Sequence, residues 1–190
     1  MFRSTRISRY AVKVAGAALA ATLLWTGSAE AQTPIPFSVE ARTGATFPTG
    51  DLGDGTDTGF LLAADLYMGL FPRFDLYGGY AWHKFSVDGP DDDVTEQGPR
   101  LGVRVNFPVP VAIAPWVRGG LSWSSTDGLA GDPDSELGLE FAGGLDWSVL
   151  PTLSLSPGLH YKTVTQDLGG GTGEVDVSYL TLELGARLSL

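Results

Sequence analysis

Few side chains in this sequence are suited to covalent chemistry. The chain has two histidines and no cysteine, which excludes disulfide scaffolds and Cys-ligated zinc or iron–sulfur sites. As a general base, a histidine needs a nucleophilic hydroxyl and an orienting carboxylate beside it. His83 is followed by Lys84-Phe85 and His160 by Tyr161-Lys162, so neither has a serine two residues on. The pattern predicts a carboxylate partner for each imidazole rather than catalysis. Oxygen-rich clusters recur at Asp51, Asp54 and Asp57, at Asp91 to Asp93, and at Asp127, Asp132, Asp134 and Glu136. Such groups can take Ca²⁺ or Mg²⁺. None has the EF-hand spacing, so solvated acidic loops are expected, with no metal and no cofactor.

A third set is more informative. Glu40, Arg42, Asp65, Asp75, Arg100, Arg104, Arg118, Glu140, Asp146, Lys162, Glu183 and Arg187 all fall at positions that alternate with apolar residues. They comprise six acids and six bases. A balanced set of this kind suits a closed interior, where like charges repel and unpaired ones are costly.

The elements that would position these charges follow from composition and period. The 190 residues carry 26 glycines, 12 prolines, 43% apolar and 18% charged residues. That is too apolar for a disordered tail and too Gly-rich and interrupted for a helical bundle. A net charge of −10 argues against a nucleic-acid binder, which needs a basic face.

The first 31 residues have a layout of their own. Arg3, Arg6, Arg9 and Lys13 precede a mostly apolar Val14 to Trp25, and Ala29-Glu30-Ala31 supplies small residues at a cleavage site. This is the plan of a secretory signal peptide cut after Ala31, leaving residues 32–190 as one domain. The apolar run, Val14 to Trp25, falls short of the roughly 20 residues a spanning helix needs. Cleavage would remove four bases and one acid, taking the net charge to −13.

In the rest of the chain the period is two, which is the strand signal. Leu180, Leu182, Leu184, Ala186, Leu188 and Leu190 share one face of the last segment, and Tyr179, Thr181, Glu183, Gly185 and Arg187 the other. Seven earlier segments read the same way. Short connections at 71–74, 108–112 and 149–152 alternate with long ones at 48–59, 88–97, 124–136 and 165–176. Eight strands so joined make an all-β up-and-down meander that can close and leave no edge. Pro115, near a strand start, is tolerable, whereas Pro157 is central and predicts a bulge.

The apolar face could be the core of a soluble barrel or the lipid-facing band of a membrane barrel. The neutral polar face favours the second. So do aromatics at both ends of the apolar face: Phe37, Phe107 and Trp147 at one, Phe47, Trp82, Trp123 and Tyr161 at the other. Membrane barrels carry such girdles. Turning every charge outward by a one-residue slip would cost on the order of 20 kcal/mol in lipid, more than the roughly 5–15 kcal/mol that holds an ordinary domain together. Tyr67, Tyr77, Trp116 and Tyr179 are expected inside. An eight-stranded barrel is just wide enough for its own side chains, which favours an ion-paired solid core over an open pore.

With these residues in view, the chain resembles the small eight-stranded outer-membrane β-barrel family of Gram-negative bacteria, the group that includes the outer membrane protein A barrel domain and outer membrane protein X. The resemblance is carried by Phe37-Ser38-Val39-Glu40-Ala41-Arg42-Thr43-Gly44, by Phe47 to Asp51, by Leu137 to Trp147, and by the alternating C-terminal strand. It implies a monomeric transmembrane barrel among outer-membrane lipid and lipopolysaccharide, with both termini periplasmic and a last strand read by the barrel-assembly machinery. Members usually end in Phe or Trp; this chain ends in Leu190. The resemblance implies a non-enzymatic structural or surface-interaction role through the acidic loops, with a narrow porin-like channel as the alternative and a lipid A-modifying enzyme as a third.

Overall fold

The computed structural model describes residues 35–49, 57–86, 94–109, 112–127, 136–167 and 174–190, with the backbone alone described at 127, 165–167 and 174–176. The proposed leader and the tips of the four long connections lie outside the described residues. Eight antiparallel strands close into one barrel in chain order: β1 (Phe37–Thr49), β2 (Gly59–Phe71), β3 (Phe74–Phe85), β4 (Val94–Asn106), β5 (Ile113–Asp127), β6 (Glu136–Leu150), β7 (Leu153–Asp167) and β8 (Glu174–Ser189). β8 pairs with β1, Ser189 opposite Ser38 and Ser178 opposite Thr49. Closure satisfies every interior ladder without leaving an edge, the condition a sheet must meet in hydrocarbon.

The alternation translates directly into facing. Along β8, Leu180, Leu182, Leu184, Ala186 and Leu188 are exposed while Thr181, Glu183 and Gly185 are buried. Leu182 is 57% exposed and Phe141 is also 57% exposed, whereas Arg104, Tyr67 and Tyr77 are at 0%. The barrel is therefore inside out relative to a soluble one, with an apolar exterior and a polar core. Phe37, Phe71, Phe74, Phe107 and Trp147 ring the exterior near the short turns, and Phe47, Phe60, Trp123 and Tyr161 ring it toward the loops.

Two expectations need correction. The strands run past the predicted ends: β4 starts at Val94, β5 reaches Asp127, β7 reaches Asp167, and β8 starts at Glu174. Pro157 makes no bulge. It keeps its place opposite Leu184 in β8, and the β6–β7 register is the same on both sides of it, although no rungs form from Ser156 and Pro157 to β6. A proline that faces outward costs rungs on one side only and needs no extra residue. Pro99 interrupts β4–β5 in the same way, leaving Gly98 and Pro99 unpaired there while Pro99 stays opposite Tyr80. The register shifts that do occur sit beside short turns, between Gly69 and Phe71 and between Ser148 and Leu150.

Strand length has a second consequence. Strands of 12 to 16 residues exceed the roughly 9 to 11 that cross a hydrocarbon core. The excess lies at the loop end, where the facing rule reverses. Phe85, Val94, Val164 and Val177 point inward and are buried, while Lys84, Thr95, Gln97, Ser125 and Thr163 occupy the alternate, outward positions. Above the upper aromatic ring the barrel is built as a soluble protein is built.

Leu182→Arg is expected to cost about 2–4 kcal/mol if the exterior faces hydrocarbon, read from urea unfolding in lipid vesicles. Gln97→Arg, on the outer face of the loop-end collar, is expected to change stability by less than about 0.5 kcal/mol, as surface substitutions usually do.

Candidate functional site

The described residues hold no cluster of three or more His, Asp or Glu able to bind a metal. The groups gathered with the most order are the charges of the lumen. All twelve predicted charges face it, and they sort into layers because each strand contributes every second residue.

In the central layer β2, β4, β1, β5 and β8 meet across the bore. Arg100 grips Asp65 with both ends of its guanidinium, Nε to Oδ1 at 2.8 Å and Nη2 to Oδ2 at 2.7 Å. Arg42 donates to Glu183 at 2.7 Å and lies 3.1 Å from Glu40 and 3.2 Å from Asp65. Arg118 donates to both oxygens of Glu183, at 3.1 and 3.2 Å. Tyr77 donates to Glu140 at 2.5 Å, and Arg42 also contacts the Tyr67 hydroxyl. Asp65 meets Arg42, Arg100 and Arg118, and Glu183 meets Arg42 and Arg118, so the layer is a mesh rather than a set of pairs.

Toward the short turns Arg104 bridges Glu40 at 3.5 Å and Asp146. Asp75 accepts from Arg187 at 2.7 Å and from Asn106 at 2.9 Å, and Arg187 Nε also donates to Ser38 at 2.8 Å. Toward the loops Lys162 contacts Glu96 and Ser124.

Glu96 was expected in a loop. It is a lumen residue on the extended β4, buried at 2%. It falls in the stretch 88–97, whose run Asp91 to Asp93 reads as a connection. With Glu96 included, the fully buried layers balance at five acids (Glu40, Asp65, Glu96, Glu140, Glu183) and five bases (Arg42, Arg100, Arg104, Arg118, Lys162). The unbalanced acid lies at the short-turn rim, where the side chains of Asp75, Asp146 and Arg187 keep 13–19% exposure and water can screen them.

Aromatic rings fill the gaps between the charges. Three guanidinium carbons stand over the Trp116 ring, those of Arg104 at 4.5 Å, Arg42 at 5.8 Å and Arg118 at 5.9 Å; Arg187 stands 4.4 Å over Tyr67. Cation–π contacts of this kind are worth about 0.5–2 kcal/mol each. The rings fit because the wall is thinned beneath them. Gly144 and Gly158 form a cross-strand pair, and a Cβ on Gly158 would come within 2.9 Å of Trp116 Cζ2. Gly102 and Gly120 form another, where a Cβ on Gly102 would come within 2.6 Å of the Tyr77 hydroxyl.

The two histidines lie in the lumen just below the loop end. His160 Nε2 is 3.6 Å from Glu140, as expected of a carboxylate neighbour. His83 departs from that expectation: its Nδ1 lies 3.4 Å from the Thr46 hydroxyl, and its ring packs on Phe85 and on Tyr179, with a 4.6 Å centroid distance to the latter. The space near them is a cavity of about 10 Å³, lined by His83, Glu96, Arg100, Ser122, Glu140 and Lys162 among others. That is room for about one water, not for a substrate.

The described residues thus form a closed antiparallel wall with an apolar exterior and an ion-paired bore. No protein-family model and no curated protein matches the chain. Among solved structures it is similar to Neisserial surface protein A, at TM-score 0.64 and 20% identity over 80% of this chain and 96% of that one. It is also similar to outer membrane protein OprG of Pseudomonas aeruginosa (0.55; 13%; 81% and 96%) and to outer membrane protein W of E. coli (0.51; 15%; 84% and 100%). At these identities the likeness is one of fold: a closed eight-stranded barrel.

The Lys162–Glu96 contact supplies a direct test of the extended β4. Lys162→Met leaves a buried carboxylate without its cation and is expected to destabilise by about 3–5 kcal/mol. Adding Glu96→Leu removes the orphaned charge, so the double variant is expected to recover most of that loss in equilibrium unfolding.

Proposed function

We propose that this chain is an integral outer-membrane protein of a Gram-negative bacterium, exported on a signal peptide cleaved after Ala31 and inserted by the barrel-assembly machinery. It works as a non-enzymatic monomer embedded among lipid and lipopolysaccharide, and it acts through the acidic connections at its loop end. The observation that carries this reading is the filled lumen. Five buried cations and five buried anions, with Trp116, Tyr67, Tyr77 and Tyr179 between them, occupy the bore, which leaves the loops as the part free to meet a partner.

Two features support the membrane setting. Apolar residues dominate the outer face between the two aromatic rings, and the facing rule reverses only above the upper ring. Both match a hydrocarbon slab with water beyond it. The solved barrels with this fold include outer-membrane proteins, which supports the choice of membrane. Catalysis has no support in the lumen: each histidine faces other partners, and the adjoining cavity takes about one water.

Planar-bilayer recording tests the reading. The reconstituted barrel is expected to give no stable unit conductance. A steady conductance that shifts on Arg104→Ala or Arg118→Ala would instead establish a narrow pore through the charged layers. Unaltered lipid A composition in cells expressing His83→Ala and His160→Ala, compared with the unsubstituted chain, is the result expected of a protein that modifies no lipid.

A further inference from the structure

The two mouths of the bore are built from opposite materials. At the short-turn end the innermost groups are Asp75, Asp146, Arg187 and Asn106, all partly exposed. At the loop end they are Phe85, Val94, Val164, Val177 and Tyr179, between 0% and 3% exposed and clustered together. Val164 sits opposite Val177 and Phe85 opposite Val94, while Phe85 and Tyr179 meet ring to ring at 5.5 Å. Directly beneath lie His83, His160 and the Lys162–Glu96 contact, then the polar cavity.

We infer that this apolar cluster is a stopper that keeps water and ions out of the charged bore from the loop side, so that the lumen is wetted only from the short-turn end. The physical case has two parts. A constriction lined by aliphatic and aromatic side chains expels water, and such constrictions close channels by dewetting. The charge mesh beneath gains its strength from low local dielectric, and water entering from above would weaken every pair in it. The stopper lies in the collar, beyond the upper aromatic ring, where no lipid is needed to hold it shut. The inference rests on the membrane reading only for the identity of the two sides, since the contrast between the mouths is a property of the barrel itself.

The chain has no cysteine, so single-cysteine variants give clean labelling. In detergent micelles both mouths are open to a small cationic methanethiosulfonate. Gln97→Cys, on the collar exterior, and Asn106→Cys, at the short-turn rim, are expected to react fast. Ser122→Cys, in the cavity wall beneath the stopper, is expected to react at least about 100-fold more slowly, as for a site opened only by rare fluctuations. Val164→Thr with Val177→Thr keeps the shape and makes the stopper polar; added to Ser122→Cys, it is expected to speed labelling at least about 10-fold, since wetting the constriction opens the path. Ser122→Cys reacting as fast as Asn106→Cys in the otherwise unaltered barrel overturns the inference, and so does labelling unchanged by the paired threonines in a barrel that still folds. The first comparison needs no change to the stopper and stands if the threonine variant misfolds. Failure of the membrane reading has its own mark: Leu182→Cys would then react as readily as Gln97→Cys.

Discussion

A buried guanidinium cannot shed its charge, and that constraint orders this molecule. Each of Arg42, Arg100, Arg104 and Arg118 must find carboxylates inside a bore that admits little water. Several partners come from strands that are not neighbours: Arg100 on β4 reaches Asp65 on β2, Arg104 on β4 reaches Glu40 on β1, and Arg118 on β5 reaches Glu183 on β8. These links brace opposite walls. A register slip in any strand would both turn its charge toward the exterior and orphan several partners at once. The mesh therefore specifies the closed form as much as it stabilises it, since buried ionic groups cost heavily when unpaired and gain little over apolar ones when paired.

The facing of the side chains reverses at the loop end on an unchanged backbone. Between the aromatic rings the exterior is apolar and the interior charged. Beyond the upper ring Phe85, Val94, Val164 and Val177 turn inward while polar residues take the outer positions. Between β7 and β8 nothing in the ladder changes at the crossing; their pairing runs unbroken from Leu153 opposite Leu188 to Asp167 opposite Glu174. Only the parity of the apolar residues changes. On the membrane reading proposed above, the parity switch is where lipid would give way to water.

That switch also explains what was legible in the sequence and what was not. Eight segments, their order and their faces follow from period-two alternation, because a wall with one apolar face places an apolar residue at every second position. The reading stopped short where parity flips. In β4 the apolar exterior residues are Leu101, Val103 and Val105, at odd positions, but Val94 is even; in β7 Leu153 to Tyr161 are odd, but Val164 is even. A template that holds one phase sees the end of a strand there. Glu96 was lost to the loops for this reason. The twelve charges were legible as a set. Their partners were not, because residues up to 141 positions apart meet through the curvature of a closed wall, which period alone does not encode.

The glycine pairs behind Trp116 and Tyr77 carry a consequence for how such a molecule can change over time. Ring and thinned wall fit as peg and socket, with Gly144–Gly158 behind one and Gly102–Gly120 behind the other. Shrinking the indole alone opens a void amid arginines. Enlarging a glycine alone drives a methyl group into the ring or the neighbouring backbone. Neither half can drift without the other, so widening the bore into a conduit would demand coordinated replacements on three strands. That coupling makes the occluded form a historical trap as well as an energetic one.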